Sequence, residues 1–546
     1  MRSIAADNRG DFFTPCDGYG HATAGGDGMT KWASAILVFN LGGDTRRSAP
    51  AFAEPYGIGA CGAAISELDA KFPEFWRRKA SLLRARAIHR LVIGDPSGAL
   101  RDLDASDALA ANKPDDVYYD RSLKLGSDLV RAQALRQSGD AAKAEKLAML
   151  AWAKRPYSRE AGYSTLIAIG PEAPLEDREK IMRTLAQITP EATGQWFTDA
   201  FEHGRFTDAL EIYPGLQAPI VLGNTPMNSR DALLLKEGNR KLGEIFWVQD
   251  SGSYAYALAA LGRVADSRAA IHAAKTRLAA AMVDLPDAPA EASLEAKTVV
   301  AIHNQTNLEM RTYLPSHLDG WTSLVEARIA IDEGRFADAA AAAKTIKVPR
   351  TWAVFEFTAA LSANDPSRSA QAKARADAMR AQHGYDRTTE LKGLFKSLPE
   401  TETQERIAAY RQDFAWLGVQ WGPKSGFTLE EHPADGFTTI KFESPKAPLS
   451  LLEDMALLKA ADIARQAGKA GLVILDRRNI NHIINNGMAA RGSLLSGYES
   501  QLDFVAVDPT APPPAYQNAR WRIVDANAVY GALAPLYIPS EQSKGH

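Results

Sequence analysis

The chain has 546 residues, 46% of them hydrophobic and 24% charged, with a formal net charge of −3. That balance gives no basic stripe for a nucleic-acid backbone and no electrostatic pull towards an anionic membrane, so nucleic acid is not an expected partner. The ten histidines make no i, i+4 pair and no His-Glu-x-x-His string; no metal and no cofactor is predicted.

Residues 1–28 are glycine-rich and polar, without periodicity, and read as a disordered leader or an over-extended start. Met29-Thr-Lys31 then forms a basic start, 32–41 an apolar run, and Ala51-Phe-Ala53 offers small residues where a signal peptidase reads, so 29–53 is expected to be a signal peptide. The run is shorter than the roughly 18 residues of a retained span, and no integral membrane span is expected in the mature chain. The two cysteines, Cys16 and Cys61, cannot build a disulfide framework, and cleavage would leave Cys61 alone. Gly57-Ile-Gly59-Ala-Cys-Gly62 has the letters of a dinucleotide loop but follows no strand, so a flexible mature N-terminus is expected there.

From Leu82 an apolar helix runs to Gly94, and a second follows through Ala99 and Leu103. The same punctuation recurs at Gly139, Gly204, Gly262 and Gly334. Seven residues before each glycine stand Ala87, Ala132, Phe197, Ala255 and Ala327, and five after it Ala99, Ala144, Ala209, Ser267 and Ala339. Four of the first five are alanine and all of the second five are small, which lets two helices cross closely, and the glycine suits a left-handed helix end. These hairpins resemble tetratricopeptide repeats. The best match ends at Pro156, and His203-Gly-Arg-Phe-Thr-Asp-Ala-Leu210 and Glu333-Gly-Arg-Phe-Ala-Asp-Ala-Ala340 are near-copies of one turn. The glycines lie 45, 65, 58 and 72 residues apart, against about 34 in a regular array. Further hairpin helices are therefore expected at 172–188, 229–246, 294–310, 352–361 and 367–382. The resemblance implies a superhelix with a concave face that recognises extended protein or peptide segments.

Composition shifts near Tyr385. A charged helical connector is expected over 401–417, then a turn-rich piece through Gly418, Gly422 and Gly426. Beyond it, 437–442 alternates as a strand, Ser450-Leu-Leu-Glu453 reads as a capping box opening a helix to about Gly468, 471–475 and 498–507 read as strands, and 525–536 as a closing helix. That order predicts a small α+β layer. Over 435–536 it resembles the small C-terminal domain of secreted and lipoprotein-type proteobacterial proteins, which implies an envelope location. The expected organisation is 1–28 leader, 29–53 signal peptide, 54–384 solenoid, 385–435 connector and linker, 436–546 α+β domain. The fold class is mainly α, an irregular tetratricopeptide-like α-solenoid followed by a small α+β domain.

For a repeat array, the residues six before each glycine are expected on the concave face: Ile88, Gln133, Thr198, Tyr256 and Arg328. Arg136, Gln249 and Trp321 join them by the same helical-face reasoning, giving a lining that can bond a peptide backbone and pack a side chain. Asp476-Arg-Arg-Asn479-Ile-Asn481-His482 looks most like catalytic chemistry, although asparagines favour turns and no nucleophile stands nearby. The leading expectation is a periplasmic or secreted scaffold binding protein or peptide. The alternatives are an envelope enzyme with its site near Asp476 and His482, and a structural protein whose helices self-associate.

Overall fold

A computed structural model describes residues 12–20, 31–35, 39–44, 56–111, 113, 116–216, 234, 237–238, 241–245, 247–343, 351–363, 387–402, 414–415, 424–433, 436–444, 447–484 and 494–538. The protein is mainly α, with a small antiparallel sheet near its C-terminal end. It forms two compact units, one of Met1–Pro190 with Tyr385–Pro512 and Trp521–His546, the other of Glu191–Gly384 with Pro513–Arg520.

The repeating turn is built alike at all five glycines. Gly94, Gly139, Gly204, Gly262 and Gly334 have φ of 79°, 90°, 69°, 74° and 74°. The following amide reaches the carbonyl five residues back each time: Asp95 to Arg90, Asp140 to Leu135, Arg205 to Ala200, Arg263 to Leu258 and Arg335 to Ala330, at 2.7–2.9 Å. This double-bonded helix end needs a left-handed residue, which explains glycine. The small residues on either side are buried, and the Ser267 hydroxyl donates to the Ala255 carbonyl across the crossing at 2.6 Å.

In the first unit the hairpins are α3 (Trp76–Val92) with α4 (Pro96–Ala110), α6 (Leu125–Gln137) with α7 (Ala141–Ala153), and α8 (Arg159–Ile169) with α9 (Leu175–Ile188). A short α5 (Val117–Tyr119) enters α6 through a π-helical turn, Asp120–Lys124. Two N-terminal expectations need correction. Within the stretch read as a disordered leader, α1 (Phe13–Asp17) is a helix packed on α2 (Tyr56–Lys71) and α3, with Phe13 and Cys16 fully buried and Asp17 paired to buried Arg78 at 2.5 Å. Cys16 and Cys61 form a disulfide. Gly57, Gly59 and Gly62 lie inside α2, so they form neither a phosphate loop nor a flexible terminus. Of 29–53, the backbone of β1 (Lys31–Ala35) and β2 (Phe39–Asp44) is described, an antiparallel pair.

The sheet of the same unit has strand order β3-β4-β5-β7-β6-β8, every neighbour antiparallel: β3 (Phe414–Ala415), β4 (Lys424–His432), β5 (Phe437–Ser444), β6 (Gly471–Ile484), β7 (Leu494–Val507) and β8 (Val524–Asp525). Helices α19 (Leu449–Gln466) and α20 (Ala526–Tyr537) belong to it, and α19 covers the face carrying Ile440, Phe442, Leu472, Ile474, Leu502 and Phe504. The turn-rich reading around Gly426 gives way to strand β4. The capping box is not formed: α19 starts after Pro448 with no side-chain cap, and Ser450 bonds Glu402 instead. The connector 401–417 lies outside the described residues at 403–413 and 416–417.

The hairpins before Pro190 share the core of this sheet, to which Tyr118 and Ile188 contribute. An ion network fastens them: Arg155 bonds Asp454 (2.9 Å) and Glu402 (2.7 Å), and Arg121 bonds Asp454 (2.7 Å), all buried. The compact units part within the stretch expected as one solenoid over 54–384, at Pro190.

The second unit holds α10 (Ala192–Glu202) with α11 (Phe206–Leu216), α12 (Val248–Ala260) with α13 (Val264–Ala281), α14 (Leu294–Met310), α15 (Tyr313–Asp332) with α16 (Phe336–Ala343), and α17 (Thr351–Ser362). Its centre is aromatic: Phe201 meets Tyr256 and Trp321 edge-on at 6.2 and 6.3 Å. The helices expected near 229–246 and over 367–382 fall largely or wholly outside the described residues.

Candidate functional site

The first helices of the hairpins present the face on which a ligand is expected. In each unit a later helix of the same chain lies against it.

In the first unit this helix is α18 (Arg387–Ser397), packed on α3 and α8. Its residues Leu391, Leu394 and Phe395, with Leu398 just beyond, fall at i, i+3, i+4 and i+7 and are all buried, the stripe of an amphipathic helix on an apolar face. Just before the stripe, Glu390 reaches α6. Gln133 donates to its Oε1 at 2.8 Å, Arg136 donates to the same oxygen, and Arg136 also bonds the Gln133 amide oxygen at 3.0 Å. Gly170 makes room for this guanidinium, since a Cβ there would stand 2.4 Å from Arg136 Nη1.

The second unit repeats the arrangement with different side chains. Helix α17 packs on α10, α15 and α16 and buries Ala353, Phe355 and Phe357. Glu356 accepts a hydrogen bond from the Tyr256 hydroxyl and two from Arg328 Nε, each at 3.2 Å. Arg328 also bonds Asp332 at 2.5 Å. Burial, and then the Glu356 carboxylate, push the Tyr256 phenol well above its usual range, so Tyr256 is a hydrogen-bond donor at any physiological pH.

Four of the expected lining residues, Gln133, Arg136, Tyr256 and Arg328, therefore meet a later helix of the chain. Gln133 and Tyr256 are 0% exposed and Arg328 is 8% exposed. Trp321 is buried as well: it packs onto Gly252, where a Cβ would clash at 2.3 Å, and its indole N–H bonds His317 at 3.2 Å. Thr198 is half-buried on α10; Gln249 lies in α12, with its side chain outside the described residues. Of the residues counted back from the glycines, Gln133, Tyr256 and Arg328 touch a later helix, while Ile88 is buried and apolar. Glu390 and Glu356 carry no signal of their own in the sequence, although the apolar stripe from Leu391 to Leu398 is readable there.

Asp476 and His482, expected in a loop, lie on strand β6, and six residues of strand separate them by about 20 Å. Asp476 pairs with Arg478 at 2.9 Å, and Arg478 with buried Asp503 at 3.2 Å. From Asp503 the bonds continue through Thr439 (2.7 Å) to His432 (3.0 Å), a polar ladder crossing four strands. It brings Asp476 and Arg478 together and leaves His482 at a distance.

Among the described acids of the first unit, Glu160 is pushed far from its ordinary range. Burial of its carboxylate, with Glu400 and Glu453 nearby, pushes it up to about 8 against the opposing pull of Arg155 and Arg159. For Asp454, burial acts upward, but Arg155 and Arg121 outweigh it and hold the group below the usual carboxylate range. An open pocket of ≈ 210 Å³ lies beside Trp76 and Tyr119, and another of ≈ 390 Å³ between α13 and α15; neither touches the residues above. Among the described residues, no cluster of three or more His, Cys, Asp or Glu is placed to hold a metal, and no helix is long and apolar enough to cross a membrane. No protein-family model, curated protein or solved structure matches the chain.

Proposed function

We propose that this chain is a protein-binding scaffold of the bacterial cell envelope, periplasmic or secreted, whose tetratricopeptide-like hairpins hold helical protein segments along their first helices. One observation carries this reading: in two separate units, side chains near the repeat turn grip a carboxylate from a helix laid on that face. Such faces recognise a ligand by its apolar stripe and by one buried polar contact.

A photoreactive residue in place of Ile167, which stands against Gly393 of α18, tests it in a chain carrying Glu390→Lys to loosen that helix. The expected outcome in intact host cells is an adduct with a second protein, suppressed by excess peptide of sequence 387–398. Adducts confined to the chain itself would instead support a structural protein that reserves these faces for its own helices, which the filled faces also favour. The enzyme alternative near Asp476 and His482 has no comparable support.

The bridge and the signal peptide are alternative grounds for the location, because one molecule cannot have both. Disulfides such as Cys16–Cys61 persist outside the reducing cytosol, whereas removal of 29–53 as a signal would part Cys16 from the mature chain. Intact mass before and after reduction, on protein from the envelope fraction, separates a bridged chain from one beginning at Glu54. A cytoplasmic chain with two free thiols would sink the location.

A further inference from the structure

The grips in the two units share more than a carboxylate. Each uses the residue six before a repeat glycine, Gln133 in one unit and Tyr256 with Arg328 in the other, and each pairs a neutral donor with an arginine. In the first unit the pair is nearly dry, with side-chain exposures of 15% for Arg136 and 7% for Glu390. A helix without the acid would leave that buried guanidinium with Gln133 and the longer contact to exposed Glu172 at 3.7 Å, a poorer match for its charge, so the face discriminates by charge as well as by apolar fit.

The occupant is also weak by its own composition. Helix α18 has 11 residues, below the length at which an isolated helix is stable in water. It carries Gly393 mid-helix, where a Cβ would meet Ile167 at an ordinary contact of 3.4 Å. Alanine would fit there, so the glycine lowers helicity without steric need.

Resting on the scaffold reading, we infer that the gripping first-helix face of each unit is a receptor for an amphipathic helix presenting a glutamate just ahead of or within its apolar stripe, and that α17 and α18 are internal occupants such a partner displaces. The partner class is an acidic amphipathic helix, set by complementarity to Gln133 and Arg136 and to Tyr256 and Arg328.

The test measures anisotropy of a labelled peptide of sequence 387–398 with full-length chains. Glu390→Lys in the chain sets a lysine against Arg136 and loosens α18, so this variant is expected to bind the peptide at least about ten-fold more tightly than wild type. A peptide carrying Glu390→Gln is expected to lose about ten-fold on the same variant. Equal binding of the two peptides overturns the carboxylate receptor and leaves the scaffold reading standing. Absence of binding by either peptide, with an unchanged circular dichroism spectrum, defeats both on this face. Should Glu390→Lys aggregate, wild type answers by hydrogen exchange. Exchange in 387–397 is expected to rise when excess peptide carrying Gly393→Ala is added, and unchanged protection overturns displacement.

Discussion

At Glu160 a single proton couples the buried ion network to stability. An acid normally near 4.5 and pushed up to about 8 in the folded chain keeps a proton that the unfolded chain releases, so between those values the folded state binds more protons. Stability therefore falls as pH rises from about 5 to 8 and levels off above. Glu160→Gln is expected to flatten that decline and to gain about 4 kcal/mol at pH 8, measured by urea unfolding across the range; an unaltered slope would exclude Glu160 as its source. Asp454 works in the opposite sense. Its depressed pKa contributes stability at neutral pH that is lost as pH falls through the acid range. None of this is legible in sequence, because Arg155 meets Asp454 across 299 residues.

Among the elements, the hairpin turns were the most readable. Gly139 has φ of +90° with open space around its Cα, so only backbone strain opposes a side chain there. Gly139→Ala is expected to cost about 1 kcal/mol and Gly139→Asn less, read as shifts in the urea midpoint. Equal stability of all three proteins would mean that the left-handed turn is not required. The spacing of small residues likewise placed the helix crossings, since alanine and serine at those points are close-approach chemistry wherever the hairpin sits. The Asn-rich segment after Asp476 misled because its turn propensity is overridden by pairing of β6 with β7, in which Arg477, Arg478 and Asn479 lie opposite Leu502, Gln501 and Ser500.

For the whole molecule, the Cys16–Cys61 bridge fastens α1 to α2 over a sequence separation of 45. In the loop-closure account such a bridge contributes about 4 kcal/mol. Cys16→Ser is expected to lower Tm and to abolish the further drop that reductant causes in wild type. A wild-type Tm indifferent to reductant would show the bridge to be unformed in solution. This pairing is not legible in the sequence because α1 lacks the periodicity of the later helices and has only 5 residues; its burial comes from α2 and α3, whose positions no local pattern encodes.

By itself the sequence determined the mainly α class, the hairpin turns and which helix faces carry polar contact residues, because these follow from periodicity, from glycine's access to positive φ and from side-chain size. Only the tertiary structure decided that those faces hold the chain's own helices, that the early hairpins share a core with the sheet, and that Asp476 and His482 stand apart. Each of these depends on segments hundreds of residues distant or on strand pairing, and the energy that selects among them lies in buried contacts rather than in local propensity.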